Sequence, residues 1–134
     1  MAQKIAGTRD RTVEITRIAA GFVFLSAAVF RVFHHAEAVA EVTRLHLPAF
    51  ASTAIVVFEV VVSTMFFLNI RVRVAALATI AFLCGAIAIA LALYWSEILA
   101  SIHELFVFNA NPTDILLHVM YILFLIILFR GARK

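Results

Sequence analysis

Charged residues, glycine and cysteine are scarce in this chain of 134 residues. Only 14% of the residues are charged, against about 25% in an ordinary soluble domain, and 65% are hydrophobic. The single cysteine, Cys84, excludes an intrachain disulfide and with it a disulfide-stapled secreted domain. With a mean hydropathy of +1.08, the composition predicts one integral membrane domain over residues 1–134.

Sequence motifs for cofactor binding or catalysis are also absent. The chain has no glycine-rich phosphate loop, no cysteine pair, no nucleophile motif and no histidine pair at the spacing of a transmembrane haem site. We therefore expect no cofactor bound by the chain alone and no catalysis by the isolated chain. A nucleic-acid partner is not expected either, because the basic residues flank apolar segments instead of lining one stripe.

Long apolar runs are what the chain does have. Crossing about 30 Å of hydrocarbon takes roughly 20 helical residues, and four segments meet or approach that length: 15–33, 48–70, 72–94 and 112–129. Backbone groups in lipid must be hydrogen-bonded internally, so these spans are predicted to be helices. The fold class is therefore an all-α integral membrane four-helix bundle, with the lipid bilayer as its first partner.

The basic residues predict how the spans are oriented. Most lie in the N-terminal tail, in the turn between the second and third spans, or at the C-terminus: Lys4, Arg9, Arg11, Arg17, Arg71, Arg73, Arg130, Arg133 and Lys134. Only Arg31 and Arg44 fall on the other side. Because basic segments stay in the cytoplasm, both termini are predicted to be cytoplasmic, and the opposite side is the outer side.

The two outer connections are predicted to be short amphipathic helices on the outer face. In the first, residues 34–47, Glu37, Glu41 and Arg44 share one helical stripe. In the second, residues 96–111, the apolar side chains recur at helical spacing.

Glu59 is the residue that most needs an explanation, because it lies inside the second span. A carboxylate at that depth costs at least ~2.5 kcal/mol and needs a polar partner. At 1.5 Å per residue, Glu59 lies about 16 Å, Arg31 about 10 Å and His118 about 9 Å from the outer boundary. We therefore predict one intramembrane polar pocket of Arg31, Glu59 and His118.

Each of the three has a simpler alternative. Arg31 could extend toward the outer surface along its apolar stem. Glu59 could be a structural carboxyl that is protonated or bonded to Ser63 or Thr64. His118 could be a core histidine with a local partner.

A second polar cluster is predicted on the outer face, formed by His34, His35, Glu37 and His103. The alternative is that these are solvated surface residues. No Glu-x-x-His and no His-x-x-x-His pair occurs, so no metal site is predicted.

The third span is rich in small residues. Ala81 with Gly85, and Ala86 with Ala90, have the small-xxx-small spacing that lets helix backbones approach closely. We expect this spacing to serve packing within the bundle.

Several features in order along the chain resemble the DoxX-like family of small four-helix bacterial and archaeal membrane proteins. They are the Arg-led first span (Arg17 to Gly21), Arg31 near its end, Leu47-Pro48 before the second span, Glu59 within it, and Arg71 and Arg73 before an alanine-rich span. In the turn before these two arginines the family often has glycine, whereas this chain has Asn69. The family is named for a subunit associated with a terminal quinol oxidase and with thiosulfate:quinone oxidoreduction. The resemblance thus implies a prokaryotic cytoplasmic membrane and a membrane redox setting.

Three functions are compatible with these features. The leading one is an accessory subunit of a quinone-linked or respiratory oxidoreductase, with partner membrane subunits and a quinone at a shared site. The second is a purely structural assembly subunit. The third is a small proton-coupled transporter, although such transporters carry their glutamate in the first span.

Overall fold

The computed structural model describes residues 2–100 and 115–132, and the described part is entirely helical. Five helices follow one another: α1 (Ala2–Phe33), α2 (His35–Arg44), α3 (Phe50–Phe67), α4 (Val72–Ala100) and α5 (Ile115–Gly131). Three of them contain segments long and apolar enough to cross a membrane, namely Arg11–Phe33, Phe50–Phe67 and Val72–Ser96. α5 is a shorter apolar helix of 17 residues.

The helices follow the predicted spans closely. α3 begins two residues after Pro48, α4 begins at the predicted Val72, and α5 lies within two or three residues of the predicted fourth span. α4 differs, because it continues to Ala100 through a non-helical residue, Tyr94 (φ −119°, ψ 21°), at the predicted end of the third span. Of the second predicted outer helix only residues 96–100 are described, as the end of α4, and the rest lies outside the described residues.

α1 and α3 pack against each other in antiparallel orientation. Phe24 lies beside Phe66, and Arg31, two turns further along α1, meets Glu59, two turns earlier in α3. α5 packs on α4 and α1, and its Leu125 and Leu128 join the buried core formed by α1, α3 and α4. This packing leaves the other sides of the helices exposed, as expected for surfaces that face lipid.

Two arginines cap helix ends at one end of the molecule, which we call the α3–α4 turn end. Arg17 of α1 donates hydrogen bonds to the carbonyl oxygens of Phe66 and Phe67, the last residues of α3, at 3.0 Å to the latter. Arg73 donates to the Phe129 carbonyl of α5 at 3.2 Å and stacks over its ring. The last carbonyls of a helix lack internal partners and carry partial negative charge, so both contacts stabilise these termini.

Two non-glycine residues in the left-handed region end α2 and α3. His46 (φ 56°) follows α2, where the Leu47 N–H bonds the Val42 carbonyl at 2.9 Å. Asn69 (φ 57°) follows α3 in the same way, and there the Ile70 N–H bonds the Met65 carbonyl at 3.0 Å. This is the Schellman arrangement, in which glycine or asparagine is the usual left-handed residue. Asn69 can therefore occupy the position where the family often has glycine.

The expectation for the small residues of the third span is wrong in part. Ala81 and Gly85 are exposed, and a Cβ added at Gly85 would meet nothing within 4 Å. Ala75, Ala76 and Ala90 are instead the alanines that α4 buries in the described structure. Close packing in the chain thus uses another face of α4 than the Ala81–Gly85 pair indicated.

Candidate functional site: a buried carboxylate–arginine network

Glu59 is buried near the middle of α3, with a side-chain exposure of 4%. The apolar periodicity of α3 is weak, because nearly every neighbour in its sequence is aliphatic or aromatic. Its orientation is therefore set by packing: Ser52, Glu59, Val62, Ser63 and Phe66 form the buried side of the helix. α1 and α2 both pack against α3, so the carboxyl group lies under protein and not under lipid.

Arg31 supplies the hydrogen bond to this carboxyl group. Its Nε donates to Glu59 Oε1 at 3.3 Å, and its side chain is 16% exposed. Arg31 lies in the last turn of α1, at the level of Glu59 because the two helices are antiparallel. An ion pair removed from water is stabilised only when its remaining polar atoms also find partners.

Glu41 of α2 is the second partner of Arg31. Arg31 Nη1 donates to Glu41 Oε2, and Nη2 donates to Glu41 Oε1 at 3.2 Å. The two parallel bonds use the planar fork of the guanidinium, the geometry that an arginine offers and a lysine does not. Arg31 therefore joins three helices: its own α1, α2 through Glu41, and α3 through Glu59.

Glu41 was not predicted as a site residue. Its spacing puts it on one helical stripe with Glu37 and Arg44, but Glu41 is only 25% exposed, whereas Glu37 is exposed. α2 buries Ala38 and Val42, and Glu41 lies three residues after Ala38, at the edge of this buried side. That spacing was the available signal in the sequence, but only the packing of α2 shows which of its carboxylates faces the other helices.

The network contains one cation and two carboxylates. If both glutamates were ionised, the three side chains would carry a net charge of −1 in a site walled by α1, α2 and α3. Arg31 therefore serves two carboxyl groups at once, and its three nitrogens are all used in doing so.

Two buried polar atoms have no hydrogen-bond partner among the described residues. They are Glu59 Oε2 and Ser52 Oγ, and their residues are 3% and 1% exposed. Both lie on α3, two turns apart on the same face. A buried polar group left without a partner costs about 1–3 kcal/mol, so both atoms are suited to bind something that the described chain does not supply.

The remaining predicted site residues lie apart from these contacts. His118 is partly exposed in the first turn of α5 and has an interaction of its own. Among the described residues, the hydrogen bonds given for Arg31 and Glu59 join them to each other and to Glu41, so a common pocket with His118 stays a prediction.

The predicted outer cluster is exposed where it is described. His34 stacks on Phe30 with ring centroids 4.3 Å apart, and His34, His35 and Glu37 are all exposed. His103 lies outside the described residues. Within residues 2–100 and 115–132, no three His, Cys, Asp or Glu side chains are placed to hold a metal ion.

The chain was compared with protein-family models, curated proteins and solved structures. The DoxX family model matches residues 12–95, which is more than half of the chain and includes Arg31, Glu41, Ser52 and Glu59. No curated protein and no solved structure matches.

Proposed function

The chain belongs to the DoxX family, and on that premise we propose that it is an accessory subunit of a quinone-linked or respiratory oxidoreductase complex. The proposal places it in a prokaryotic cytoplasmic membrane as a four-span bundle with both termini cytoplasmic. The end bearing α2, which we call the α2 end, is then the outer side. Other membrane subunits are its partners, and the redox centres belong to them.

The observation that carries the proposal is the unpartnered Oε2 of Glu59. Oε1 is held by Arg31, so the carboxyl group is fixed in position while its second oxygen remains able to accept or donate a hydrogen bond. Intramembrane carboxyl groups are costly and generally functional. A carboxyl group that is held through one oxygen while the other oxygen stays unbonded is suited to exchange a proton with a bound substrate.

Quinone chemistry requires such a group. When a quinol is oxidised, its hydroxyl O–H bonds break, two protons leave, and two electrons pass to an acceptor, here the redox subunits of the complex. Glu59 supplies a proton acceptor, Arg31 a cation that stabilises its carboxylate form before the proton is transferred, and the apolar helices a hydrocarbon surface for the ring. The quinone site would be shared with a partner subunit.

Replacing Glu59 by glutamine tests the proposal. Glu59→Gln keeps the size of the side chain and an oxygen acceptor for Arg31 Nε, but it removes the exchangeable carboxyl proton. We expect the complex purified from native membranes to assemble normally and its quinone-dependent turnover to fall by about 10²-fold or more, the typical contribution of a positioned acid–base group.

The matched control is Glu37→Gln, which makes the same chemical change at an exposed position of α2. It should leave both assembly and turnover unchanged. Normal turnover of an assembled Glu59→Gln complex would refute the proton and quinone role. If the wild-type chain purifies from native membranes without any haem-, flavin- or copper-containing partner, the accessory-subunit assignment itself is refuted.

A purely structural role is the second candidate, favoured by the way Arg31 joins α1, α2 and α3. Polar contacts in membranes average only about 0.6 kcal/mol, so the network would define helix positions more than it would add stability. This role predicts the opposite result for Glu59→Gln, namely impaired assembly with unchanged turnover per assembled complex.

A further inference from the structure

Among the buried helix hydroxyls of the described chain, Ser52 is the exception. Six helix hydroxyls, buried or exposed, each donate to a carbonyl three or four residues earlier in their own helix, at 2.8–2.9 Å: Thr16, Ser26, Thr43, Ser63, Thr64 and Thr79. Ser52 is as deeply buried as Ser63 and Thr79, yet its Oγ has no partner among the described residues. Its hydroxyl is therefore available to a partner outside its own helix.

Ser52 and Glu59 lie in line along α3. Seven residues correspond to nearly two full turns, so both side chains project from one face, about 10 Å apart along the helix axis. A helical side chain leans toward the N-terminus of its helix, so the Glu59 carboxyl group leans toward Ser52. Ser52 is in the first turn of α3, at the α2 end, and Glu59 is in the middle.

Among the described residues, the buried side chains of α1 and α2 do not offer Ser52 a partner. α2 buries Ala38 and Val42 against this region, and α1 buries Phe24 and Ala28, none of which has a polar side-chain atom. Arg31 donates to both oxygens of Glu41 and to Glu59 Oε1, so its hydrogen bonds leave Glu59 Oε2 unbonded. A small ligand that both donates and accepts hydrogen bonds would satisfy the two atoms together.

We infer that Ser52 and Glu59 bind internal water molecules between them, which form a hydrogen-bonded path from the α2 end of the molecule to the buried carboxyl group. Hydrogen-bonded oxygens lie about 2.8 Å apart, so two or three waters bridge roughly 10 Å along the axis. Buried waters typically satisfy polar groups that the protein leaves unpaired. Ser52 is the positioning residue of this path on the side nearer the α2 end.

The use of the path for protons rests on the proposed function, whereas the waters themselves do not. In quinol oxidation the proton that leaves the hydroxyl would bind Glu59 Oε2, while the electrons go to the redox subunits. The waters would then carry that proton toward the α2 end and restore the carboxylate. Without such a path, the buried carboxyl group could accept one proton and not return it.

Water-edited solid-state NMR of the full chain in lipid bilayers tests the inference. In this experiment magnetisation passes from mobile water protons to nearby carbons, so the build-up rate reports proximity to water. Glu59 Cδ and Ser52 Cβ should build up nearly as fast as the exposed Glu37, whereas Ser63 Cβ and Thr79 Cβ should lag several-fold. Ser63 and Thr79 are equally buried but bonded to their own helix, which makes them internal references.

Two variants identify the role of Ser52. Ser52→Ala should slow the build-up at Glu59 Cδ to the rate of Ser63, and Ser63→Ala should leave it unchanged. Build-up at Ser52 and Glu59 as slow as at Ser63 in the wild-type protein would overturn the inference, as would an unchanged Glu59 rate in Ser52→Ala. Because the experiment uses the isolated chain, its failure is distinct from a failure of the Glu59→Gln turnover test.

Discussion

Gly21 and Gly85 show how differently one residue type is used in two membrane helices. A Cβ at Gly21 would lie 3.0–3.2 Å from three atoms of the Phe67 ring, whereas a Cβ at Gly85 would meet nothing within 4 Å. The Phe67 ring has little room to retreat, because Phe22 packs edge-on against it with centroids 5.1 Å apart. Gly21 thus permits the close approach of α1 and α3.

Alanine substitutions should separate the two glycines. Gly85→Ala gains up to about 1 kcal/mol of helix propensity and should leave stability unchanged or slightly raised. Gly21→Ala gains the same propensity but adds about 1–3 kcal/mol of overpacking, so it should be the less stable variant. Unfolding followed by circular dichroism in the same detergent measures both. Equal stability of the two variants would contradict the close contact at Gly21.

At the residue scale, the level of Glu59 and Arg31 could be predicted because helical rise fixes depth once the spans are known. The rotation of α2 could not, so Glu41 was missed. The expectation that Ala81 and Gly85 pack against another helix failed for a related reason. Lipid and protein interior are equally apolar, so apolar residues in a span do not indicate which face packs against another helix.

At the scale of elements, α2 is held by contacts at both of its sides. Its Glu41 bonds Arg31 of α1, and the Tyr94 hydroxyl of α4 donates to the carbonyl oxygen of Arg44, its last residue, at 3.0 Å. Tyr94 is also the non-helical residue inside α4. The same residue thus interrupts the helical geometry of α4 and holds the end of α2.

Removing that hydroxyl should loosen the end of α2. A neutral hydrogen bond contributes about 1 kcal/mol, so Tyr94→Phe should speed hydrogen exchange of the amides following Glu41 by about fivefold. Hydrogen–deuterium exchange by mass spectrometry measures this rate. Tyr121→Phe is the control, because the Tyr121 hydroxyl makes no hydrogen bond among the described residues. Unchanged exchange in Tyr94→Phe would show that α2 is held by its other contacts.

At the scale of the whole molecule, the order of the helices and the bounds of α3 and α5 could be predicted from the lengths of the apolar runs, whereas the start of α1 at Ala2, well before the predicted first span, could not. The continuation of α4 to Ala100 could not be predicted, because the apolar run ends near Tyr94 whereas the helix continues beyond it. The caps formed by Arg17 and Arg73 were also not predicted, because helix ends meet only after the bundle has packed. These caps place the two arginines at the α3–α4 turn end, as the predicted topology requires.

The orientation in the membrane is testable with single cysteines in a Cys84→Ala background. Gln3→Cys and Glu37→Cys leave every Lys and Arg in place, so they do not disturb the charge bias that directs insertion. In intact spheroplasts, a membrane-impermeant maleimide should label Glu37→Cys, and it should label Gln3→Cys only after lysis. The reverse pattern would mean that the α2 end faces the cytoplasm.

A single residue, His34, separates α1 from α2; its N–H donates to the Phe30 carbonyl, and its carbonyl accepts from the Ala38 N–H. Arg31 is one turn before this joint and Glu41 two turns after it. α2 is therefore not free to move by itself, because Glu41 is bonded to Arg31. A displacement of α2 would also displace the guanidinium that bonds Glu59.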